Sequence, residues 1–176
     1  MGNEILFRET QRFTQWWLWL ILTIINGFLL FGVFKQVIGG EAIGDNPMSD
    51  TGLLITTGFM IALTVLFTRF RLHTEIKEDG VYVKFFPFHL SFKHYPWTSI
   101  SKSYVRQYNP IAEYGGWGLR LGLFGKGKAY NVAGNQGLQL EFYNQKKLLI
   151  GTRRPEELTE VLKKIDNFKP AGNPKH

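Results

Sequence analysis

Residues 13–34, FTQWWLWLILTIINGFLLFGVF, and residues 51–68, TGLLITTGFMIALTVLFT, contain no charged side chain and run for 22 and 18 residues. At about 1.5 Å rise per residue, helices of these lengths reach across a hydrocarbon core roughly 30 Å thick. The pair therefore reads as a transmembrane hairpin, and the polar remainder as the domain it anchors. The boundaries follow: an N-terminal cytoplasmic or interfacial segment over 1–15, the hairpin over 16–68 with spans at about 16–34 and 51–68, a soluble domain over 69–169, and a disordered tail over 170–176.

The 176 residues leave just over 100 outside the hairpin, which is the size of about one domain. No cysteine is present, which excludes disulfides, thiolate metal sites, cysteine nucleophiles and palmitoylation. Of 21 Lys and Arg, 18 lie from Arg69 onward, against nine of the 14 acids. A nucleic-acid surface carries such an excess, but so does a domain held against an anionic leaflet, and the hairpin makes the leaflet the simpler source. A lipid bilayer is thus an expected partner and nucleic acid is not.

Flanking charge sets the orientation. The link between the spans carries Lys35 against Glu41, Asp45 and Asp50, whereas Arg8 and Arg12 precede the first span and Arg69, Arg71 and Lys77 follow the second. The excess of bases beside the outer ends predicts both termini in the cytoplasm, in a cell (inner) membrane. Arg69 and Arg71 sit where guanidinium groups reach lipid phosphates, and Trp16, Trp17 and Trp19 where indoles favour the headgroup region. The Trp residues point several ways around a helix, so an anchoring belt is preferred to a cofactor box. Ile5, Leu6, Phe7 and Phe13, interleaved with charges, suggest a short surface helix leading into the membrane. The first span is too long for a signal h-region and no small-residue cleavage site follows it. Met1-Gly2 approaches a myristoylation signal but has Leu6 where a hydroxyl residue belongs.

Asn26 is the strongly polar side chain inside the first span. Its expected role is an interhelical hydrogen bond to Thr56 or Thr57. Transport by this chain alone is not expected, since the spans hold no ionisable group.

From Leu72 the apolar period becomes two. Leu72–Lys77 and Val81–Phe86 read as a β-hairpin whose turn uses Gly80 at positive φ. Further strands are expected over Leu90–Tyr95, Ser101–Tyr108, Gly118–Leu123, Ala129–Val132, Leu138–Tyr143 and Lys147–Thr152, separated by Pro, Gly and Asn signals. Short strands at this spacing indicate an antiparallel barrel or sandwich. Pro155-Glu156-Glu157 opens a helix whose Leu158, Val161, Leu162 and Ile165 form one apolar stripe, suited to capping the barrel.

A hairpin followed by about seven strands and a final helix resembles the bacterial pleckstrin-homology-like (PH-like) membrane proteins. The residues carrying the likeness are Tyr95-Pro96-Trp97-Thr98-Ser99-Ile100, Tyr108-Asn109-Pro110, Gly116-Trp117-Gly118-Leu119-Arg120, Gly137-Leu138-Gln139-Leu140-Glu141-Phe142 and Ile150-Gly151-Thr152-Arg153-Arg154-Pro155-Glu156-Glu157-Leu158. The resemblance implies an α+β membrane protein with a module for protein or lipid contact rather than catalysis. Lipid-binding members of the wider fold hold inositol phosphates with bases near the first strand turn. Here that turn is Lys77-Glu78-Asp79-Gly80, whose carboxylates oppose a polyanion, so that site is not carried over.

Other motifs favour bland readings. Gly122 to Lys128 has the G-x4-G-K spacing of a phosphate loop, but Ala129 stands where Mg²⁺ needs a hydroxyl and no helix follows. His73, His89 and His94 lack metal-ligand spacing. Phe85, Phe86, Phe88 and Phe92 around Pro87 read as core, with Phe88 as a membrane-dipping tip in the sharper reading. Tyr114-Gly115-Gly116-Trp117-Gly118 is either turn geometry or, through Trp117 and Arg120, part of a recognition surface.

The expected function is therefore a non-enzymatic scaffold or interaction module at the membrane, without cofactor, metal or catalytic residues. Its candidate surface is Trp117, Arg120, Lys126, Lys128, Arg153 and Arg154, facing an unidentified membrane or cytoplasmic protein, with homo-oligomerisation compatible. The competing expectation is an accessory subunit of a membrane transporter or enzyme complex.

Overall fold

The computed structural model describes residues 4–122 and 125–168. Two compact units make up the chain, one formed by Thr14–Arg69 and the other by the residues on both sides of it. The expected tail at 170–176 and the Leu123 end of one expected strand lie outside the described residues.

The helical unit contains α1 (Trp16–Gly32), which continues as a π-helical turn over Val33–Ile38, and α2 (Asp50–Arg69). Trp16–Ile38 and Asp50–Arg69, 23 and 20 residues, are by length and composition able to cross a membrane. The helices meet at Gly32, where a Cβ would be in ordinary van der Waals contact with the Leu53 side chain, at 3.4 Å. At the linked end Gln36 Nε2 donates to Met48 O and Asp50 Oδ1, each at 2.7 Å. Asn26 does cross to the other helix, but to a different residue than expected. Its Nδ2 donates to Thr64 Oγ1 at 2.9 Å and to Leu22 O at 2.7 Å. Thr57 instead donates to Leu53 O of its own helix and Thr56 to Met48 Sδ.

The second unit holds β1 (Ile5–Arg12), β2 (Arg71–Lys77), β3 (Gly80–Phe86), β4 (Lys93–Pro96), a 3₁₀ turn at Trp97–Ser99, and β5 (Ile100–Gln107). There follow α3 (Pro110–Tyr114), β6 (Gly118–Leu121), β7 (Lys128–Asn131), β8 (Gln136–Phe142), β9 (Lys147–Gly151) and α4 (Pro155–Phe168). One sheet is β1-β2-β3-β4 and the other β5-β8-β9-β7-β6. The expected barrel was wholly antiparallel, whereas β7 and β9 pair parallel. The strands after Leu72 otherwise lie near their expected positions. Alternating side chains line the core: Leu72, Ile76, Val81, Val83, Leu138, Leu140 and Leu149 are fully buried. The Leu158, Val161, Leu162 and Ile165 stripe of α4 is buried, and the helix packs on β5, β8 and β1.

The segment read as a surface helix is β1. It pairs antiparallel with β2 from Arg12↔Arg71 to Ile5↔Lys77, so the residues before the apolar insert belong to the β unit. Its inward positions are Phe7, Glu9 and Gln11, and two polar side chains among three disguise a period-two strand. The polar pair is bonded rather than exposed. Glu9 accepts from Thr152 Oγ1 (2.7 Å) and Arg153 N (2.9 Å), and Gln11 Nε2 donates to Gly151 O (2.6 Å). These bonds clip the inward face of β1 to the end of β9.

Gly80 closes the β2–β3 hairpin for a different reason than positive φ, which it lacks. A Cβ there would overlap Tyr95 O and come within 2.9 Å of Pro96 Cα, so its role is to let β4 approach.

Candidate functional site

The second unit's densest polar cluster forms where β5 leads into α3. Asn109 caps α3, its Oδ1 accepting from Ile111 N (3.1 Å) and Ala112 N (3.0 Å), with Pro110 opening the helix. Glu113 Oε1 accepts in turn from Asn109 N at 2.9 Å. This local geometry turns the Glu113 carboxylate toward β5, where Arg106 meets it with two hydrogen bonds of 2.8 and 3.2 Å. Arg106 also donates to Gln139 Oε1 at 3.0 Å and Tyr114 OH at 3.3 Å. The Arg106 hydrogen bonds hold the Glu113 carboxyl below the usual carboxylate range, and Glu113 raises Arg106. Burial raises the Tyr114 phenol and pushes Tyr108 up to about 12. An open depression of about 490 Å³, lined by Gln107, Tyr108, Asn109, Pro110, Glu113 and Asn135, lies beside this cluster. Its one charged group, Glu113, is already engaged by Arg106, so the hollow offers a shape rather than a reactive group.

The cluster was missed in the sequence, where Asn109-Pro110 read only as a strand break. An Asn followed by Pro and then an acid is also a helix-start signal, and that signal was available.

Next to α3 stand the residues of the expected recognition surface. Gly115 ends α3 in the left-handed region at φ 68°, and Gly116 and Gly118 also have positive φ. Trp117 is half-buried, its Nε1 donating to Gly134 O at 3.0 Å, and Arg120 Nε donates to Trp117 O at 3.0 Å. Trp117 therefore ties the turn to the β7–β8 connection. Arg120 lies on β6, which pairs with β7 in the register Arg120↔Ala129 and Leu121↔Lys128 and forms the end of its sheet. Leu119 and Leu121 are exposed on this terminal strand, 43% and 73%. Lys126 lies 3.8 Å from Glu113, and Lys128 is exposed at the start of β7. Trp117, Arg120, Lys126 and Lys128 thus gather about one β-hairpin.

Arg153 and Arg154 lie on another segment, after β9. They belong to the β9–α4 connection and the β1 clip: Arg153 N donates to Glu9, and Arg154 pairs with Glu157, donates to Arg8 O at 3.0 Å and stacks 5.3 Å from the Phe7 ring centroid. Arg154 is a fastening of β1.

The glycine-rich segment from Gly122 to Lys128 connects β6 to β7, with Gly122 N donating to Gly127 O. Each of the three described histidines has a partner: His73 Nδ1 and Thr10 Oγ1 are 3.0 Å apart, His89 Nδ1 accepts from Phe85 N, and His94 stacks on Tyr82 beside Asp79. Burial lowers His73 and His89. Among the described residues, no three His, Cys, Asp or Glu side chains gather as a metal set would.

Compared with protein-family models, with curated proteins and with solved structures, the chain matches none. The fold nonetheless defines a class: an α+β chain in which two apolar helices interrupt a paired set of strands.

Proposed function

We propose that this is a non-enzymatic integral-membrane protein, with both termini cytoplasmic, whose PH-like β unit serves as a scaffold or interaction module at the membrane surface. The observation that carries the reading is the insertion of the helical pair between β1 and β2. Arg12 and Arg71 are register partners, so the chain leaves and returns at one strand pair, an arrangement that suits a two-pass anchor. Only 11% of each helix's apolar window is buried, whereas the core helix of a soluble protein would be mostly covered. Two sheets followed by a packed C-terminal helix suit a PH-like module, and the parallel β7·β9 pair is a variation on it. The interaction surface is the β6–β7 hairpin, where a terminal strand with exposed leucines and bases offers backbone pairing to a partner.

The test is a pull-down of tagged full-length protein from native membranes in mild detergent, with mass spectrometry, beside a variant combining Arg120→Ala with Leu121→Glu. A protein held by the wild type and lost from the variant supports the reading. A stoichiometric partner retained by the variant contradicts the β6–β7 surface, and if that partner is a polytopic transporter or enzyme the chain is an accessory subunit.

A further inference from the structure

We infer that the β3–β4 loop, Pro87–Phe92, is a second membrane contact of the β unit, dipping its apolar side chains into an anionic leaflet. The inference rests on the membrane reading above.

Phe13 and Phe70 are the residues of the β unit that directly bracket the helical insert Thr14–Arg69. Their rings lie 5.7 Å apart, and Phe70 stacks on Phe88 of the loop at 5.6 Å. The loop therefore packs on Phe70, the β-unit residue that follows the insert in sequence. Phe85 joins the cluster at 6.1 Å from Phe70 and 5.9 Å from Phe88.

The loop is built to present its apolar groups. His89 N donates to Phe85 O at 2.8 Å while its Nδ1 accepts from Phe85 N at 3.2 Å, and its ring meets Tyr130 edge-on at 5.3 Å. With His89 held inward, Phe88, Leu90 and Phe92 are left 61%, 79% and 40% exposed. Three large apolar side chains in five residues of a loop form a patch that water does not favour.

Charge selects the occupant. Between Asp79 and Glu113 the sequence has no acid, and Lys84 and Lys93 flank the loop. Lys84 Nζ lies 5.9 Å from the Phe92 ring centroid, and Lys93 begins β4 directly after the loop. Apolar tips rimmed by lysines match a bilayer whose headgroups are negative, with the side chains below them and the ammonium groups at the phosphates.

A chain without cysteine permits single-site labelling of the full-length protein in lipid vesicles. Leu90→Cys, Phe28→Cys in α1 and Tyr143→Cys each carry a polarity-sensitive fluorophore, with quenchers placed on the lipid acyl chains. Tyr143 is the aqueous reference: it is 73% exposed and its N–H bonds Ser99 O, beyond the β4 end that pairs with Gly80 and far along the ladder from Phe86. The inference expects lipid quenching at Leu90 at least about twofold that at Tyr143, stronger in phosphatidylglycerol vesicles than in phosphatidylcholine and reduced by Lys84→Gln with Lys93→Gln. Quenching at Phe28 but not above the Tyr143 level at Leu90 overturns the inference while leaving the membrane anchor standing. Absence of quenching at Phe28 overturns both.

Discussion

Arg12 stands opposite Arg71 at the end of the β1–β2 ladder, and the whole apolar helical insert lies between them in sequence. The two strands make a β-hairpin whose connection has been replaced by a pair of long helices. The β1 clip, from Glu9 and Gln11 to the end of β9, then ties that pair to the second sheet.

The clip predicts a specific loss. Replacing Glu9 by Ala leaves the Arg153 N–H and the Thr152 hydroxyl without their acceptor, at a cost of about 1–3 kcal/mol. Hydrogen exchange should show β1 amides losing protection before those of β8. Equal exchange in Glu9→Ala and wild type would show that the clip does not hold β1.

Between the helices, the Asn26–Thr64 bond is expected to couple by about 0.6–2 kcal/mol in a double-mutant cycle of Asn26→Ala and Thr64→Val measured by unfolding in detergent or bilayer. Thr57→Val, which removes only a bond within α2, should add to Asn26→Ala without coupling.

Arg106 and Glu113 form a pH-dependent brace. Glu113 has its folded pKa below the ordinary value of 4.5, so the stabilisation is present above 4.5 and is lost as pH falls through the lowered folded value. Arg106→Met should cost about 1–3 kcal/mol near neutral pH, since it removes two charge-assisted hydrogen bonds from the Glu113 carboxylate and leaves it Asn109 N and Lys126. The difference between variant and wild type should shrink as the pH drops below 4.5, read from denaturation midpoints along a pH series. A constant difference across that range would mean that packing, not charge, carries the effect.

Gly80→Ala should destabilise by about 1–3 kcal/mol because the new methyl meets the backbone of β4, which cannot move aside like a side chain. Gly134→Ala, at φ 74° with open space around it, should cost only the backbone term, about 1–2 kcal/mol. Thermal midpoints of the two variants, with hydrogen exchange at β4, separate these causes: only Gly80→Ala should loosen Lys93–Pro96.

What the sequence revealed depended on how far each feature is from local. The apolar helices were legible because a charge-free run of such length has few alternatives, and α4 because its stripe follows a Pro-Glu-Glu start. β1 was hidden by its buried Glu9 and Gln11, whose partners lie at Gly151–Arg153, far along the chain. The parallel β7·β9 pairing is equally non-local, since strand order is not written in strand pattern. The partner of Asn26 depended on the helical register, which the Gln36–Asp50 bond and the π-helical turn help fix. Of the expected surface, Trp117, Arg120, Lys126 and Lys128 fall on one hairpin because they are close in sequence. The contacts of Arg154 with Phe7 and Arg8 were not legible because those residues are distant in the chain.

The central claim is that the helical pair crosses a membrane and leaves the β unit on the cytoplasmic side. The direct measurement is labelling of intact cells with a membrane-impermeant maleimide, using Asp45→Cys in the link and Asn144→Cys in the β8–β9 turn, each as the single cysteine of the full chain. The account predicts that Asp45→Cys is labelled in intact cells and Asn144→Cys only after the membrane is opened. Labelling of Asn144→Cys but not Asp45→Cys in intact cells would reverse the orientation, and equal accessibility at both positions would contradict the crossing itself.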